Sequence, residues 1–252
     1  MILHGAAMGE GPPIVLLHGL FGAASNFGAI QRRLAAGRQV FAFDLRNHGT
    51  SPHDPAMSYQ AMAGDVMETL DQHGVQQAGI VGHSMGGKVA MQAALLYPGR
   101  VSRLLVADIA PVPYAPHYRT IAQAMLDVKL SPGLTRAAAV QALADAVPDT
   151  KVRGFLLQNL RFGPAPAWRI GLAEIAAALP AIEDWPATPG RLYAGPTLVL
   201  RGESSDYILP EHRALFRALF PAARFASLRN AGHWLHADAP DAFVELVAAF
   251  LG

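Results

Sequence analysis

The chain has 252 residues, of which 52% are hydrophobic, so it can bury one large core and falls within the size that single α/β domains reach. Its 20 basic and 19 acidic residues give a formal charge of +1 without a dense Lys/Arg run, which excludes the usual electrostatic footprint of a nucleic-acid-binding protein. The absence of cysteine excludes disulfides, thiol nucleophiles and cysteine-ligated metals.

The N-terminal segment, MILHGAAMGEGPP, has neither the basic region nor the apolar region of a secretory signal. No apolar run along the chain approaches the roughly 18 residues of a membrane span. We therefore expect a cytoplasmic protein without a membrane span, whose ligand is a small, roughly neutral molecule. No feature of the sequence indicates an oligomeric state.

Apolar runs alternate with helical patterns between residues 14 and 110. The runs are apolar throughout, which is typical of parallel strands covered on both faces by helices. They are IVLL (14–17), QVFAF (39–43), AGIV (78–81) and LLVA (104–107), and the helical patterns between the first three span 25–37 and 58–74, with Ser25 and Ser58 as expected N-caps. This order predicts a mostly parallel, doubly wound sheet of the α/β class.

The stretch from Pro111 to Pro189 interrupts the alternation. It holds ten of the nineteen prolines and several Ala-rich helical patterns, for example at 134–147 and 167–179, and no convincing strand. We expect a helical cap over one end of the sheet at about 112–188, inserted into a single domain between the strand ending near Asp108 and the strand 196–201. The α/β pattern then resumes with a strand at 196–201, a helix at 210–220, a strand at 224–228 and a helix from about 240 to 251.

The segment from Gly82 to Gly86, GHSMG, matches G-x-S-x-G and lies between an apolar strand and a helix-forming stretch. A strand that turns sharply into a helix strains the backbone at the serine, and the flanking glycines remove side chains that would clash. Ser84 is therefore the expected nucleophile. The same region also reads G-x-x-x-x-G-K, but Val89 stands where a phosphate-binding loop needs Ser or Thr, which argues against an NTPase.

A serine nucleophile needs a histidine to accept its proton and an acid to orient that histidine. His233 follows the last predicted strand and precedes the last helix, so it is expected at the same sheet edge as Ser84. His236 is the nearby competitor. The H-x-x-H spacing could also suggest a metal site, but no HExxH pattern or third ligand accompanies it, so we expect no metal ion and no cofactor.

The loop HGLFG (18–22) follows the first strong strand. In hydrolases with a G-x-S-x-G turn, a loop after an early strand supplies one oxyanion N–H and the residue after the nucleophile supplies the other. Leu20, ahead of Phe21, and Met85 are therefore the expected oxyanion donors. An alternative interpretation of HGLFG is a plain turn with an exposed aromatic side chain.

Five motifs together resemble the α/β-hydrolase superfamily, and specifically small bacterial esterases and thioesterases of the YbfF type. They are HGLFG (18–22), DLRNHGTS (44–51), GHSMGGK (82–88), DIAPVPY (108–114) and NAGHWLHADAP (230–240), in the family's order over nearly the whole chain. The resemblance implies a serine hydrolase with a helical cap that acts on short- to medium-chain acyl esters, with acyl-CoA thioesters as a further substrate class.

Two aspartates stand where the acid of a catalytic triad could lie. Asp206 follows the strand 196–201, the usual place in this fold, although its spacing from Gly202 is one residue longer than is common. Asp108 ends the preceding strand, and the resemblance implies that esterases of this type can use that position. Both fit the chain order Ser, Asp, His. We favour Asp206 and keep Asp108 open, because either residue could instead cap its loop.

The sequence thus predicts a carboxylic ester hydrolase that works through an acyl-enzyme on Ser84. Phe21, Tyr114, Phe162 and Trp234 are the expected substrate contacts, with further apolar residues from the cap. A cofactor-free haloperoxidase or a C–C bond hydrolase would use the same triad. A slow-turnover ligand receptor of the same fold is the alternative outside enzymes.

Overall fold

A computed structural model describes all 252 residues, Met1 to Gly252. The strands are β1 (Gly5–Met8), β2 (Pro13–Leu17), β3 (Gln39–Phe43), β4 (Ala78–His83), β5 (Val101–Ala107), β6 (Leu160–Arg161), β7 (Ala167–Trp168), β8 (Thr197–Gly202) and β9 (Ala223–Leu228). The α-helices are α1 (Gly28–Leu34), α2 (Tyr59–Gln72), α3 (Met85–Leu96), α4 (Tyr118–Leu126), α5 (Arg136–Ala142), α6 (Thr150–Leu156), α7 (Leu172–Glu183), α8 (His212–Leu219), α9 (Leu235–Asp238) and α10 (Pro240–Leu251). Short 3₁₀ helices occupy Ala24–Phe27, Pro98–Arg100 and Leu157–Asn159.

Seven strands form the main sheet, in the order β1-β3-β2-β4-β5-β8-β9. All neighbours pair in parallel except β1, which runs antiparallel to β3 at one edge. This topology confirms the predicted mostly parallel sheet flanked by helices. The sequence did not indicate β1, because GAAM lacks the β-branched and aromatic residues that favour strands and lies largely exposed at the edge.

The apolar strands separate two hydrophobic cores, one on each face of the sheet. Successive residues of β2 alternate between them, so Val15 and Leu17 join a cluster of 49 buried residues while Ile14 and Leu16 join a cluster of 19. Both faces of the strand are therefore buried away from solvent. This is why the strands read as continuous apolar runs rather than as alternating ones.

The segment between β5 and β8 holds four helices, α4 to α7, and a short antiparallel hairpin of β6 and β7. The expectation that this segment contains no strand is therefore wrong. The helical pattern at 167–179 also began too early, because Ala167 and Trp168 form β7 and Gly171 caps α7. At the other end of the chain, Ser25 lies inside a 3₁₀ helix rather than at an N-cap, whereas Ser58 caps α2 as expected. No helix is long and apolar enough to cross a membrane.

The sheet brings the polar residues of distant motifs to one edge. Because parallel strands end at the same edge, the loops that follow β2, β4, β5 and β8 lie side by side there. These loops begin at His18, Ser84, Asp108 and Glu203. The loop after β9 adds His233 to the same edge, so the fold itself gathers the expected site residues.

Two glycines allow the sharp turn between β4 and α3. A Cβ atom on Gly82 would lie 2.1 Å from the carbonyl oxygen of Gly86, and one on Gly86 would lie 2.4 Å from the carbonyl oxygen of Leu17. Real Cβ atoms do not approach backbone this closely. The strand and the helix can therefore cross at Ser84 only if both positions lack side chains.

We predict that Gly82→Ala lowers the free energy of unfolding by about 3 kcal/mol or more, at the upper end of overpacking effects, because the obstructing atom is backbone and cannot move aside. Urea unfolding would measure the loss. Gly154→Ala is the matched control, since a Cβ atom at this position in α6 meets nothing within 4 Å. Equal stability of the two variants would contradict the packing argument.

Candidate active site

Ser84 lies at the turn between β4 and α3 with a strained backbone, φ 53° and ψ −122°. Such a positive φ is rare for a residue with a side chain and marks functional turns. The turn is fixed by the Ser84 N–H, which donates to the carbonyl of Ala107 at 2.9 Å. The hydroxyl oxygen lies 3.0 Å from Nε2 of His233, within hydrogen-bond distance.

His233 is held on one face of its ring and at both ring nitrogens. Its Nδ1 atom lies 2.8 Å from Oδ2 of Asp108. The ring of Tyr207 stacks on the imidazole, with centroids 3.9 Å apart and planes 18° apart. Since a carboxylate can only accept, Nδ1 carries the proton and Nε2 is left free to accept the proton of Ser84.

Asp108 is completely buried and has φ 53°, so the end of β5 is as strained as the end of β4. Its carboxylate accepts from three donors, namely the N–H of Gly202 at 3.0 Å, the hydroxyl of Ser205 and Nδ1 of His233. A buried carboxylate is stable only when its oxygens are satisfied in this way. The strand end therefore supplies a fixed negative charge directly behind the imidazole.

The structure contradicts the preference for Asp206 as the acid beside His233. Asp206 is exposed and makes no hydrogen bond with His233. The reason lies in the turn after β8, where Ser205 rather than Asp206 faces the sheet and donates to Asp108. The extra residue between Gly202 and Asp206, visible in the sequence, is the signal that pointed to this outcome.

The two expected oxyanion donors lie against the same small space as Ser84. Leu20, Ser84 and Met85 all line one cavity beside the strand edge. Neither the N–H of Leu20 nor that of Met85 donates to another group of the protein. Met85 is the first residue of α3, where backbone N–H groups have no partner within the helix. Their role in binding an oxyanion stays a prediction.

A second layer of polar groups holds the loop that carries Leu20. Phe21 has φ 58°, its N–H donates to Nε2 of His48 at 3.1 Å, and its carbonyl accepts from Nδ2 of Asn159 at 2.7 Å. The other nitrogen of His48 donates to the carbonyl of Arg46 at 2.9 Å. Sequence reasoning did not assign His48 or Asn159 a role, although the RNHG motif contains the histidine.

Burial keeps several histidines around the site neutral. Desolvation lowers the pKa of His48 to about 3 and also lowers the pKa of the neighbouring His18. His18 accepts from the N–H of Leu45 at 3.0 Å through Nε2, which requires an unprotonated nitrogen. Both rings act as acceptors for backbone N–H groups. Their neutrality is therefore part of the loop's architecture.

His83 and His236, the two histidines beside the expected base, support its loop instead of competing with it. The ring of His83 donates through Nε2 to the carbonyl of His233 at 2.7 Å. His236 packs against the rings of Phe27 and His83, and burial lowers its pKa to about 4. Neither forms a hydrogen bond with Ser84.

A cavity of about 340 Å³ opens over Ser84 and His233. Its walls come from the loop 18–22, the segment 233–236 and the cap, and the cap side chains that line it are His117, Tyr118, Ile121, Val152, Phe155 and Leu156. Of the expected substrate contacts, Phe21 and Trp234 line this cavity. Tyr114 lines only the smaller cavity that also contains Met85.

Phe162 lines neither cavity, so the structure does not bring it to the expected substrate site. It follows β6 in the cap hairpin and packs, half-buried, against the larger hydrophobic cluster. Tyr207, which sequence reasoning did not single out, lines both cavities instead. A residue five positions past the end of a strand carries no sequence signal for stacking on a histidine from another loop.

Comparisons with known proteins agree with this geometry. A family model described as alpha/beta hydrolase fold matches residues 12–240. The sn-1-specific diacylglycerol lipase ABHD11 of Mus musculus is 42% identical over 95% of this chain and 81% of its own. The esterase YbfF of Escherichia coli is 37% identical over 95% of this chain and 92% of its own. A solved marine microorganism esterase superposes with a TM-score of 0.95 at 34% identity, covering 99% of both chains. The resemblance indicated by the five motifs is confirmed.

We predict that Asp108→Asn lowers kcat by about 10⁴, because an amide at this position leaves the imidazole in the wrong tautomer and removes the charge behind it. Asp206→Asn is the matched control and should retain kcat within about threefold, since its carboxylate does not touch His233. Hydrolysis of p-nitrophenyl butyrate would measure both. A large loss in the Asp206 variant with a small one in the Asp108 variant would reverse the assignment.

The buried neutral His48 predicts an acid-sensitive fold. Its pKa of about 3 in the folded protein lies below the ordinary value of 6.5, so the unfolded chain binds the proton more readily and the stabilisation is lost as the pH falls below about 6.5. In His48→Gln an amide oxygen can accept from Phe21 without titrating. Urea unfolding should show the wild type losing up to about 1.4 kcal/mol per pH unit more than this variant on acidification. Parallel pH profiles would contradict the prediction.

Proposed function

Because the chain belongs to the α/β-hydrolase family, we propose that it is a serine carboxylesterase in which Ser84, His233 and Asp108 form the catalytic triad. That it hydrolyses carboxylic esters follows from its likeness, over most of its length, to proteins named esterase and lipase. The observation that carries the finer assignment is the continuous hydrogen-bonded row from the Ser84 hydroxyl through His233 to the buried Asp108, at 3.0 and 2.8 Å.

In the proposed first step, the Ser84 hydroxyl attacks the ester carbonyl and gives its proton to Nε2 of His233. Asp108 stabilises the imidazolium that results, because its charge lies directly behind Nδ1. The carbonyl oxygen becomes an oxyanion, which the N–H groups of Leu20 and Met85 bind. Both N–H groups are free of protein acceptors, so they need no rearrangement as the charge develops.

The tetrahedral intermediate then collapses to an acyl-enzyme. His233 returns the proton to the leaving alcohol, or to the thiol in the case of a thioester. Water enters the cavity and attacks the acyl carbonyl with His233 again as the base, which releases the acid and restores Ser84. The low pKa values of His18 and His48 support this scheme, since neighbouring neutral rings leave His233 as the proton carrier.

The cavity supports short- to medium-chain acyl esters as substrates, and acyl-CoA thioesters as a further class. A volume of about 340 Å³ is at the lower end of small-molecule sites. Its walls are largely apolar and include the rings of Phe155 and Trp234, whose centroids lie 6.0 Å apart. An apolar acyl or alcohol group of moderate length would gain from this burial, while the polar groups cluster around Ser84.

We predict that a fluorophosphonate labels the wild type rapidly and that Ser84→Ala abolishes both the labelling and the turnover of p-nitrophenyl butyrate. Ser205→Ala is the control serine, because its hydroxyl bonds Asp108 and not His233, so it should still be labelled. A wild type that is unlabelled and inactive would favour a ligand receptor of the same fold. A series of oxygen esters and CoA thioesters of increasing acyl length would then define the substrate range.

A further inference from the structure

Lys88 is the one lysine buried in this protein, at 1% exposure, and it lies one helical turn after Ser84. The N–H of Lys88 donates to the carbonyl of Ser84 at 3.2 Å, so the first turn of α3 joins the two residues. The other two lysines, Lys129 and Lys151, are exposed. The triad does not use Lys88, and burying an ammonium group is costly unless it is well paired.

The ammonium group of Lys88 is only partly satisfied. It donates one hydrogen bond, to the carbonyl of Asp184 at the end of α7, at 2.7 Å. The rings of Tyr59 and Tyr114 lie 5.6 and 4.9 Å from Nζ and attract the charge through their π faces. An ammonium group has three donors, so two remain without an acceptor in the protein.

A small chamber lies between Lys88 and Ser84. It is lined by Lys88, Ser84, Met85 and Tyr114 among others, and its volume of about 30 Å³ is enough for about two water molecules. Leu20, Ser84, Tyr118 and Tyr207 line both this chamber and the main cavity. The two limbs of an ester are its acyl group and its alcohol group. An ester whose carbonyl carbon lies at Ser84 therefore has one large apolar space and one small space for these two limbs.

Lys88 forms no salt bridge at the chamber, although the charges of Asp184 and Glu183 act on it from a distance. Glu183 also lines it, but its carboxylate pairs with Arg119 at 3.4 Å and accepts from the N–H of Tyr118 at 3.3 Å. The carboxylate of Asp184 is exposed and accepts from the N–H of Trp185, so only its main-chain carbonyl reaches Lys88. The tyrosines at the chamber are neutral, because burial raises the pKa values of Tyr59, Tyr114, Tyr118 and Tyr207.

We propose that this chamber is a subsite for the terminal carboxylate of a short ester limb, which Lys88 binds through its two free donors. The inference rests on the proposed esterase function and adds to it the substrate class. The large cavity takes the apolar limb and the chamber takes the small anionic one. The resulting ion pair gives Lys88 the partner that its burial requires.

Two p-nitrophenyl esters of the same shape test the subsite. The succinic monoester carries a terminal carboxylate, and the 4-methylpentanoate ester replaces it with two methyl groups. The nitrophenyl ring is too large for a chamber of about 30 Å³, so in both esters only the acyl limb can enter it. We expect the wild type to show the higher kcat/KM for the succinic monoester. A preference for 4-methylpentanoate would overturn the proposal.

Lys88→Met removes the charge and keeps the length of the side chain. It should lower the ratio of kcat/KM for the two esters, anionic over neutral, by about 10- to 100-fold, the range for a charged hydrogen bond. Lys129→Met removes the same charge from an exposed loop and should leave the ratio unchanged. An equal loss on both esters in the Lys88 variant would mean that Lys88 only ties the cap to the core, and the proposal would fail.

A measurement on the wild type alone decides the matter if Lys88→Met does not fold. Burial lowers the pKa of Lys88 to about 7, so the free protein loses this charge as the pH rises through about 7. The succinic carboxyl stays ionised throughout, with a pKa of about 4. The ratio of the two kcat/KM values should therefore fall above neutral pH, whereas a pH effect on the shared catalytic steps acts on both esters and cancels.

A flat ratio across this range would overturn the subsite. Hydrolysis of the neutral ester together with fluorophosphonate labelling would then leave the esterase function standing. If the wild type hydrolysed neither ester and resisted labelling, the function and the subsite would fall together.

Discussion

A buried carboxylate at the end of the internal strand β5 holds the site together. Asp108 is fully enclosed, and its oxygens bind the end of β8, the hydroxyl of Ser205 and the imidazole of His233. The loops after β5, β8 and β9 thus share one anion. Because an unpaired buried charge is far more costly than a paired one, each of these loops is held in place by the requirement to satisfy it.

The sequence predicted the sheet and the sharp turn at Ser84 well because both depend on local chemistry. Continuous apolar runs define the strands, and the clash that Gly82 and Gly86 avoid leaves few alternatives for the turn at Ser84. His233 could be placed from topology alone, since a loop after a parallel strand opens at the same edge as Ser84. These features need no knowledge of how side chains pack.

The acid and the pocket depend on such packing, and there sequence reasoning was less successful. Asp108 and Asp206 follow neighbouring strands, and only the backbone twist at positive φ turns Asp108 inward while Asp206 stays in solvent. Phe162 looked like a cap aromatic over the substrate, yet it follows a two-residue strand and packs, half-buried, against the hydrophobic core. The roles of His48, Asn159 and Tyr207 arise from contacts between residues more than twenty positions apart.

The attachment of the cap to the sheet domain has a consequence for how this scaffold diverges. Tyr59 donates to the carbonyl of Ile182 at 2.5 Å, Lys88 donates to the carbonyl of Asp184, and the carbonyl of Asn47 accepts from the N–H of Gly171. Each of these links ends on the main chain of the cap. Main-chain groups remain after almost any substitution. Mutation can therefore change the side chains of the cap, and with them the ester specificity, while the hydrogen bonds that attach the cap to the sheet domain are retained.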